Sequence, residues 1–198
     1  MLRRVGGLLA AAVVCLVVAG CSGEDAAAPQ EGGGSTAAAA AAPAKVLAWG
    51  EPTQIAGEKG QPLTVTPTGV FFYRGKPEDP MMPAERWFAA VAIRVEAVKG
   101  ADRMPPGATG EWRIRQGTRM FDSASGNANS APWVGRVNSG VTPVAPGSPE
   151  VAIRTFDVPK GGGELQWVTT GGAPIRWSLP GRTTGGGLDE VKAVMRAG

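Results

Sequence analysis

The sequence predicts an all-β fold, an antiparallel β-sandwich over residues 45–180, and three observations carry that prediction. Residues 87–98 alternate in character with period two over a full strand length. Five further short runs show the same alternation. Gly- and Pro-rich connections separate them, Lys160-Gly161-Gly162-Gly163 and Gly171-Gly172-Ala173-Pro174 among them, which reads as strands joined by short turns and hairpins.

The chain of 198 residues opens in a different style. Arg3 and Arg4 precede an apolar run from Val5 to Gly20, about 16 residues and shorter than the ~20 that a spanning helix needs. A charged start, an apolar core and small residues before a cleavage point make a secretory signal peptide over residues 1–20. The polar run Ser22 to Asp25 suits a cleaved segment better than a membrane stop. Arg3-Arg4 lacks the Phe-Leu-Lys continuation of twin-arginine export, so the export route stays open.

Val18-Ala19-Gly20-Cys21 resembles the bacterial lipobox: an aliphatic residue, two small ones, and the cysteine that becomes diacylated. The resemblance implies that Cys21 is the first residue of the mature protein and carries the lipid. Two acyl chains are what stable anchoring requires. The expected location is therefore the extracellular face of a bacterial plasma membrane, held by a diacylglyceryl group on Cys21.

Residues 21–44 read as a disordered linker. Ala26 to Ala28, Gly32 to Gly34 and Ala37 to Ala42 offer nothing bulky to bury against the entropy of ordering. As a flexible chain the segment would span roughly 25–30 Å, enough to lift a domain off the lipid.

The strands follow in order. Pro62 to Tyr73 carries Leu63, Val65 and Val70 to Tyr73, with Pro67 and Gly69 marking a bend or bulge. In the longest run Trp87, Ala89, Val91, Ile93, Val95 and Ala97 share one face, with Phe88, Ala90, Ala92, Arg94 and Glu96 on the other. The second face is small before it turns charged, which suits a central strand. Glu111 to Gln116 sets Trp112 and Ile114 against Arg113 and Arg115. Val151 to Val158, Glu164 to Thr169 and Ile175 to Leu179 complete the set, and Phe156, Trp167, Ile175 and Trp177 are expected in the common interior. Ile153 and Phe156 fall on opposite faces unless a bulge intervenes. About seven strands with turn signals throughout make a two-sheet sandwich.

After Pro180, Gly181 to Gly187 reads as a spacer and residues 181–198 as a flexible tail. Leu188, Val191 and Met195 recur at helical spacing, with acids in the first turn and a base in the last, as a helix dipole favours. About nine residues are too few for a helix that stands alone, so it is expected to fray or dock weakly.

Leu63-Thr64-Val65-Thr66, Trp87 to Val95, Pro146-Gly147 ahead of a strand and Phe156-Asp157-Val158-Pro159 resemble the DUF4352-type domains of bacterial lipoproteins. These are telokin-like, immunoglobulin-like extracellular domains of Gram-positive and actinobacterial cells. Where that family follows its long strand with Asn-x-Gly, this chain has Val98-Lys99-Gly100-Ala101. The resemblance covers about residues 45–180 and implies an immunoglobulin-like sandwich outside the cell.

Composition removes most chemistry. The chain has no histidine, which takes away the commonest general base and metal ligand. Its two cysteines are Cys15 in the signal and Cys21 at the lipid site, so none remains for a disulfide, a metal or catalysis. No Ser-x-x-Lys or Gly-x-Ser-x-Gly occurs. Asp122 to Asn129 lacks the third-, fifth- and twelfth-position ligands of a calcium loop. No catalytic residue, metal or cofactor is expected. Loss of Arg3 and Arg4 with the signal brings the formal charge from +3 to +1, so nucleic acid is not the expected partner.

Two loops are candidates for binding. Lys76 to Ala84 displays Met81-Met82 between prolines, and paired methionines suit adaptable apolar contacts. Asp122 to Pro149 is long and polar, with Asn127, Asn129 and Trp133. Trp133 either stacks on a sugar ring or protein partner, or folds back to cover one end of the core, as large aromatics mostly do. The expected function is a non-catalytic, monomeric binding module for an envelope protein or glycan. The alternatives are a structural envelope domain without a ligand and, more remotely, a hydrolase of envelope material.

Overall fold

The computed structural model describes residues 45–105, 110–123, 125–169 and 172–197. The readings of Val18, Ala19, Gly20 and Cys21, and of the signal peptide and linker, lie outside the described residues. Within the folded unit the strands are β1 (Val46–Leu47), β2 (Thr53–Ala56), β3 (Pro62–Tyr73), β4 (Trp87–Ala97), β5 (Glu111–Gln116) and β6 (Arg119–Asp122). They continue with β7 (Glu150–Val158), β8 (Gly163–Val168), β9 (Ile175–Leu179) and β10 (Thr184–Gly185), before helix α1 (Asp189–Ala197).

The strands form two sheets. One runs β1-β9-β8-β5-β6; the other runs β10-β3-β4-β7, with β2 beside β10 on the same edge of β3. All pairs are antiparallel except β1 with β9. The order β3-β4-β7 against β9-β8-β5-β6 corresponds to strands A-B-E and G-F-C-C′ of immunoglobulin folds. The protein is an all-β, immunoglobulin-like sandwich.

Alternation decides which side chains fill the space between the sheets. Ala89, Val91, Ile93 and Val95 of β4 and Phe156 and Val158 of β7 meet Trp112, Ile114, Leu165, Trp167 and Trp177 of the other sheet. Trp112 lies at the centre of an indole cluster, 5.1 Å from the Trp167 ring and 5.7 Å from that of Trp177. Trp177 Nε1 donates to the Glu51 carbonyl at 2.8 Å, so its polar edge is satisfied as the ring is buried. The register of β3 on β4 shifts between Pro67 and Gly69, the bulge that proline and glycine announce.

Four expectations change. The Lys160–Gly163 connection is not a hairpin turn. It carries the chain from β7 in one sheet to β8 in the other, and Gln116 Nε2 holds the corner by donating to the Lys160 and Gly162 carbonyls at 2.7 and 2.8 Å. A strand the sequence reading did not name, β6, precedes the long loop and forms a hairpin with β5 through the two-residue turn Gly117-Thr118. No bulge is needed for Ile153 and Phe156: β7 pairs with β4 in unbroken register, and both faces of this sheet are buried.

The last change concerns the tail, which is part of the fold. Gly185 pairs with Gly69, and Gly186 N donates to the Thr68 carbonyl at 3.0 Å. A Cβ on Gly185 would lie 2.1 Å from the Thr68 carbonyl oxygen, and one on Gly187 3.2 Å from Ala92. Gly185 and Gly187, within the run read as a spacer, make a close-packed seam over the β3 bulge. They lead to Leu188 and Val191, both fully covered, which pack with Phe88, Ala90, Ala92, Ile153 and Trp133 on the outer face of the sheet. A nine-residue helix has little stability alone, and this buried apolar edge is what holds it.

Candidate functional site

The candidate loops meet at one buried carboxylate. Asp157, at the end of β7, is 1% exposed and accepts from the backbone amides of Ala84 at 2.7 Å, Glu85 at 2.9 Å and Asn127 at 2.9 Å. Three charge-assisted bonds to one side chain fix both loops against the sheet. Asn127 Nδ2 closes the junction by donating to the Met82 carbonyl at 2.8 Å. The aspartate of Phe156-Asp157-Val158-Pro159 thus has a mechanical role, which sequence reasoning did not assign.

The structure separates the candidate residues. Met81 and Met82 are exposed, and Asn127 lies beside Met82. Asn129 lines a different hollow, with Lys76, Asp79 and Met195. Trp133 is fully buried: Nε1 donates to Thr155 Oγ1 at 2.8 Å, and Phe71, Tyr73 and Phe88 approach its ring edge-on. It covers the core instead of presenting a stacking surface. Asp122 pairs with Arg113 at 2.7 Å, and no group of three metal-binding side chains occurs among the described residues.

A second candidate site lies beside these loops, at the end of the sandwich where β3, β7 and β9 finish and β4 and β8 begin. It is a cleft of about 550 Å³, floored by Phe72 and Trp87 and rimmed by Arg74, Arg86, Lys160 and Arg182. The Arg74 guanidinium lies 4.7 Å over the Trp87 ring, which holds the planar fork in place at the mouth. No carboxylate of the described residues pairs with any of the four cations; the neighbouring Glu85 pairs with Arg119 at 2.7 Å. The linker carries Glu24, Asp25 and Glu31, so residues 45–198 hold 18 bases against 14 acids, an excess of four. Four unpaired cations around one hollow focus a positive field there.

Arg86 is distinctive in a second way. Its φ of 138° makes it the one non-glycine among the described residues with a positive φ. The Asp157 bonds to Ala84 and Glu85 fix the backbone just before it. Strain of this kind costs on the order of 1–3 kcal/mol and persists where surrounding structure imposes it. On the other side of the loop, Tyr73 donates its hydroxyl to Asp79 Oδ2 at 2.5 Å, and Asp79 also accepts from Lys76 N at 2.7 Å. Burial first, and then that hydrogen bond and charge, push the Tyr73 hydroxyl pKa up.

The opposite end of the sandwich is tied by another buried carboxylate. Asp102 accepts from the amides of Arg103 at 2.8 Å, Lys59 at 3.1 Å and Gln61 at 3.0 Å. Burial alone pushes its pKa up, but the three amides outweigh it and hold the carboxyl below the usual aspartate range.

The four cations escaped sequence reasoning because they come from three separate connections. Arg74 and Arg86 flank the β3–β4 loop, Lys160 lies between β7 and β8, and Arg182 follows β9. Each stands within a few residues of a strand end, and only the sandwich topology gathers those ends. No family model, curated protein or solved structure matches the chain. No helix among the described residues is long and apolar enough to cross a membrane.

Proposed function

We propose that the chain is a surface lipoprotein that presents its immunoglobulin-like sandwich, on a linker, as a non-catalytic binding module. The observation that carries the reading is Val18-Ala19-Gly20-Cys21 behind a short apolar run with a charged start. The lipid on Cys21 would hold the protein at the extracellular face of a plasma membrane, and the linker would set its reach. The absence of histidine from the chain and of cysteine beyond Cys21 favours recognition over catalysis. The resemblance of residues 87–95 and of Phe156-Asp157-Val158-Pro159 to DUF4352-type domains points to the same reading.

The cleft is the recognition surface in this reading. β1 runs parallel to β9 with Val46 opposite Arg176 and Leu47 opposite Trp177, so the chain enters the domain at the end where β9 starts. The cleft lies where β9 finishes, the end remote from that entry. A module tethered through residue 45 would offer this end to the surroundings.

Fractionation of cells expressing the native chain and Cys21→Ser tests the anchorage. The native chain is expected in the membrane fraction with a lipid-modified Cys21 at its mature N-terminus, and the variant in the medium or as unprocessed precursor. Mass spectrometry showing an unmodified N-terminus other than Cys21 would overturn it.

A further inference from the structure

We propose that the cleft of Arg74, Arg86, Lys160 and Arg182 binds an anionic glycan, whose sugar units carry carboxylate or phosphate groups. The proposal rests on the reading of the sandwich as a binding module and names the ligand class that its cleft fits. Three features point the same way. The volume of about 550 Å³ sits within the roughly 300–1,000 Å³ of small-ligand sites and exceeds what a lone inorganic anion fills. Every charged residue of the lining is a cation, and arginine forks match carboxylate and phosphate oxygens in pairs. The floor is apolar and aromatic, with Phe72 and Trp87 meeting edge to face at 6.5 Å, so the C–H groups of a sugar can rest on it beside the Arg74 fork.

The cations are also arranged for a chain and not for a point charge. They arise from three connections around an open trough, so successive acid groups along a polymer can meet different residues. Arg74 is held in place by its stack on Trp87, and Arg86 by the clamp of Asp157 on the two residues before it. Preorganised donors lose less freedom on binding than mobile ones. The strained backbone at Arg86 has a consequence that can be tested: glycine there would relax φ and at the same time remove a charge from the rim.

The test uses the full chain in non-ionic detergent, titrated with polygalacturonate, phosphorylated dextran and unmodified dextran, and with vesicles of phosphatidylglycerol and phosphatidylcholine. Binding is expected to at least one of the two anionic polymers, weakening as salt rises, with none to unmodified dextran. The stronger polymer tells whether carboxylate or phosphate is the acid recognised. The double variant Arg74→Ala/Arg182→Ala should weaken binding at least tenfold. The equally charged control Lys59→Ala/Lys99→Ala, at the opposite end of the sandwich, should change it less than twofold. Arg86→Gly should weaken binding severalfold without lowering the melting midpoint, which separates a binding role from a structural one. Failure of both anionic polymers, equal losses in the two double variants, or preference for the vesicles would overturn the proposal. Cys21→Ser should keep the polymer affinity of the native chain, so a failed anchorage and a failed ligand assignment give different results.

Discussion

The two faces of the β3-β4-β7 sheet are both buried, yet by different means. On the inner face the strands supply the bulk themselves: Val91, Ile93, Val95 and Phe156 interlock with the indoles of the facing sheet. On the outer face β4 offers Ala90 and Ala92 beside Phe88, and the bulk comes from elsewhere, from Trp133 in a loop and from Leu188 and Val191 in the tail. Ala92 there lets Gly187 pass close over it, so that a short helix becomes part of the core. A sandwich sheet usually leaves one face to water; here a third layer assembled from distant segments covers it. Trp133, which looked free to bind, is spent on that cover, and the proposed recognition cleft lies at the end of the sandwich.

The strongest way to break the comparison is to remove the cover. Trp133→Ala should cost about 3–5 kcal/mol, as for a large aromatic in a core, and should leave Thr155 Oγ1 without its donor. Urea titration measures this. A loss below about 1 kcal/mol would mean that the outer layer is an ornament on an independently stable sandwich.

Acid probes a tie that belongs to neither face. The pKa of Asp102 is lower folded than unfolded, so its contribution is present above the ordinary aspartate range near pH 4 and is lost as pH falls through the folded value. Asp102→Asn should cost about 1–3 kcal/mol at neutral pH through its weakened amide bonds. It should also flatten the acid limb of stability against pH, measured by thermal melts at a series of pH values. An unchanged acid limb would contradict the depressed pKa.

Arg86→Gly sharpens the contrast between structural and recognition sites, because it should raise stability by about 1 kcal/mol as the φ strain is relieved. A destabilised variant would show that the Arg86 side chain supports the fold. The smallest effect is expected at Arg94, on the outer face but beyond the cover, half-exposed and paired with Glu96 at 2.7 Å. Arg94→Ala should cost well under 1 kcal/mol, against about 2–5 kcal/mol for Ile93→Ala one residue away on the inner face. Reversal of that order in urea would place β4 out of register.

The same contrast explains what was legible in the sequence. The inner face could be read because period-two alternation is a local signal: Trp112, Ile114, Trp167 and Trp177 each lie in short strands whose pattern names their face. Ala90 and Ala92 were read only as the mark of a central strand, and their cover could not be named, since Trp133 lies about 40 residues on and Leu188 nearly 100. The tail was misjudged for a physical reason. Glycine runs signal flexibility when nothing opposes them and close packing when a surface does, and only the fold supplies the surface. The cleft was hidden for a similar cause, because Arg74, Arg86, Lys160 and Arg182 form no motif along the chain. Asp157 could be seen as part of a motif, but its partners, three backbone amides in two loops, leave no trace in side-chain identity.

Hydrogen exchange at two indole N–H groups tests the central claim most directly. Trp133 Nε1 is bonded to Thr155 on the outer face, and Trp177 Nε1 to Glu51 at the inner core. Resonances assigned through Trp133→Phe and Trp177→Phe, followed in native buffer with rising urea, report the opening of each layer. If the cover and the sandwich are one cooperative core, both indoles exchange only through the same global opening and their curves merge. Free exchange at Trp133 while Trp177 stays protected would contradict the account and return that loop to the surface.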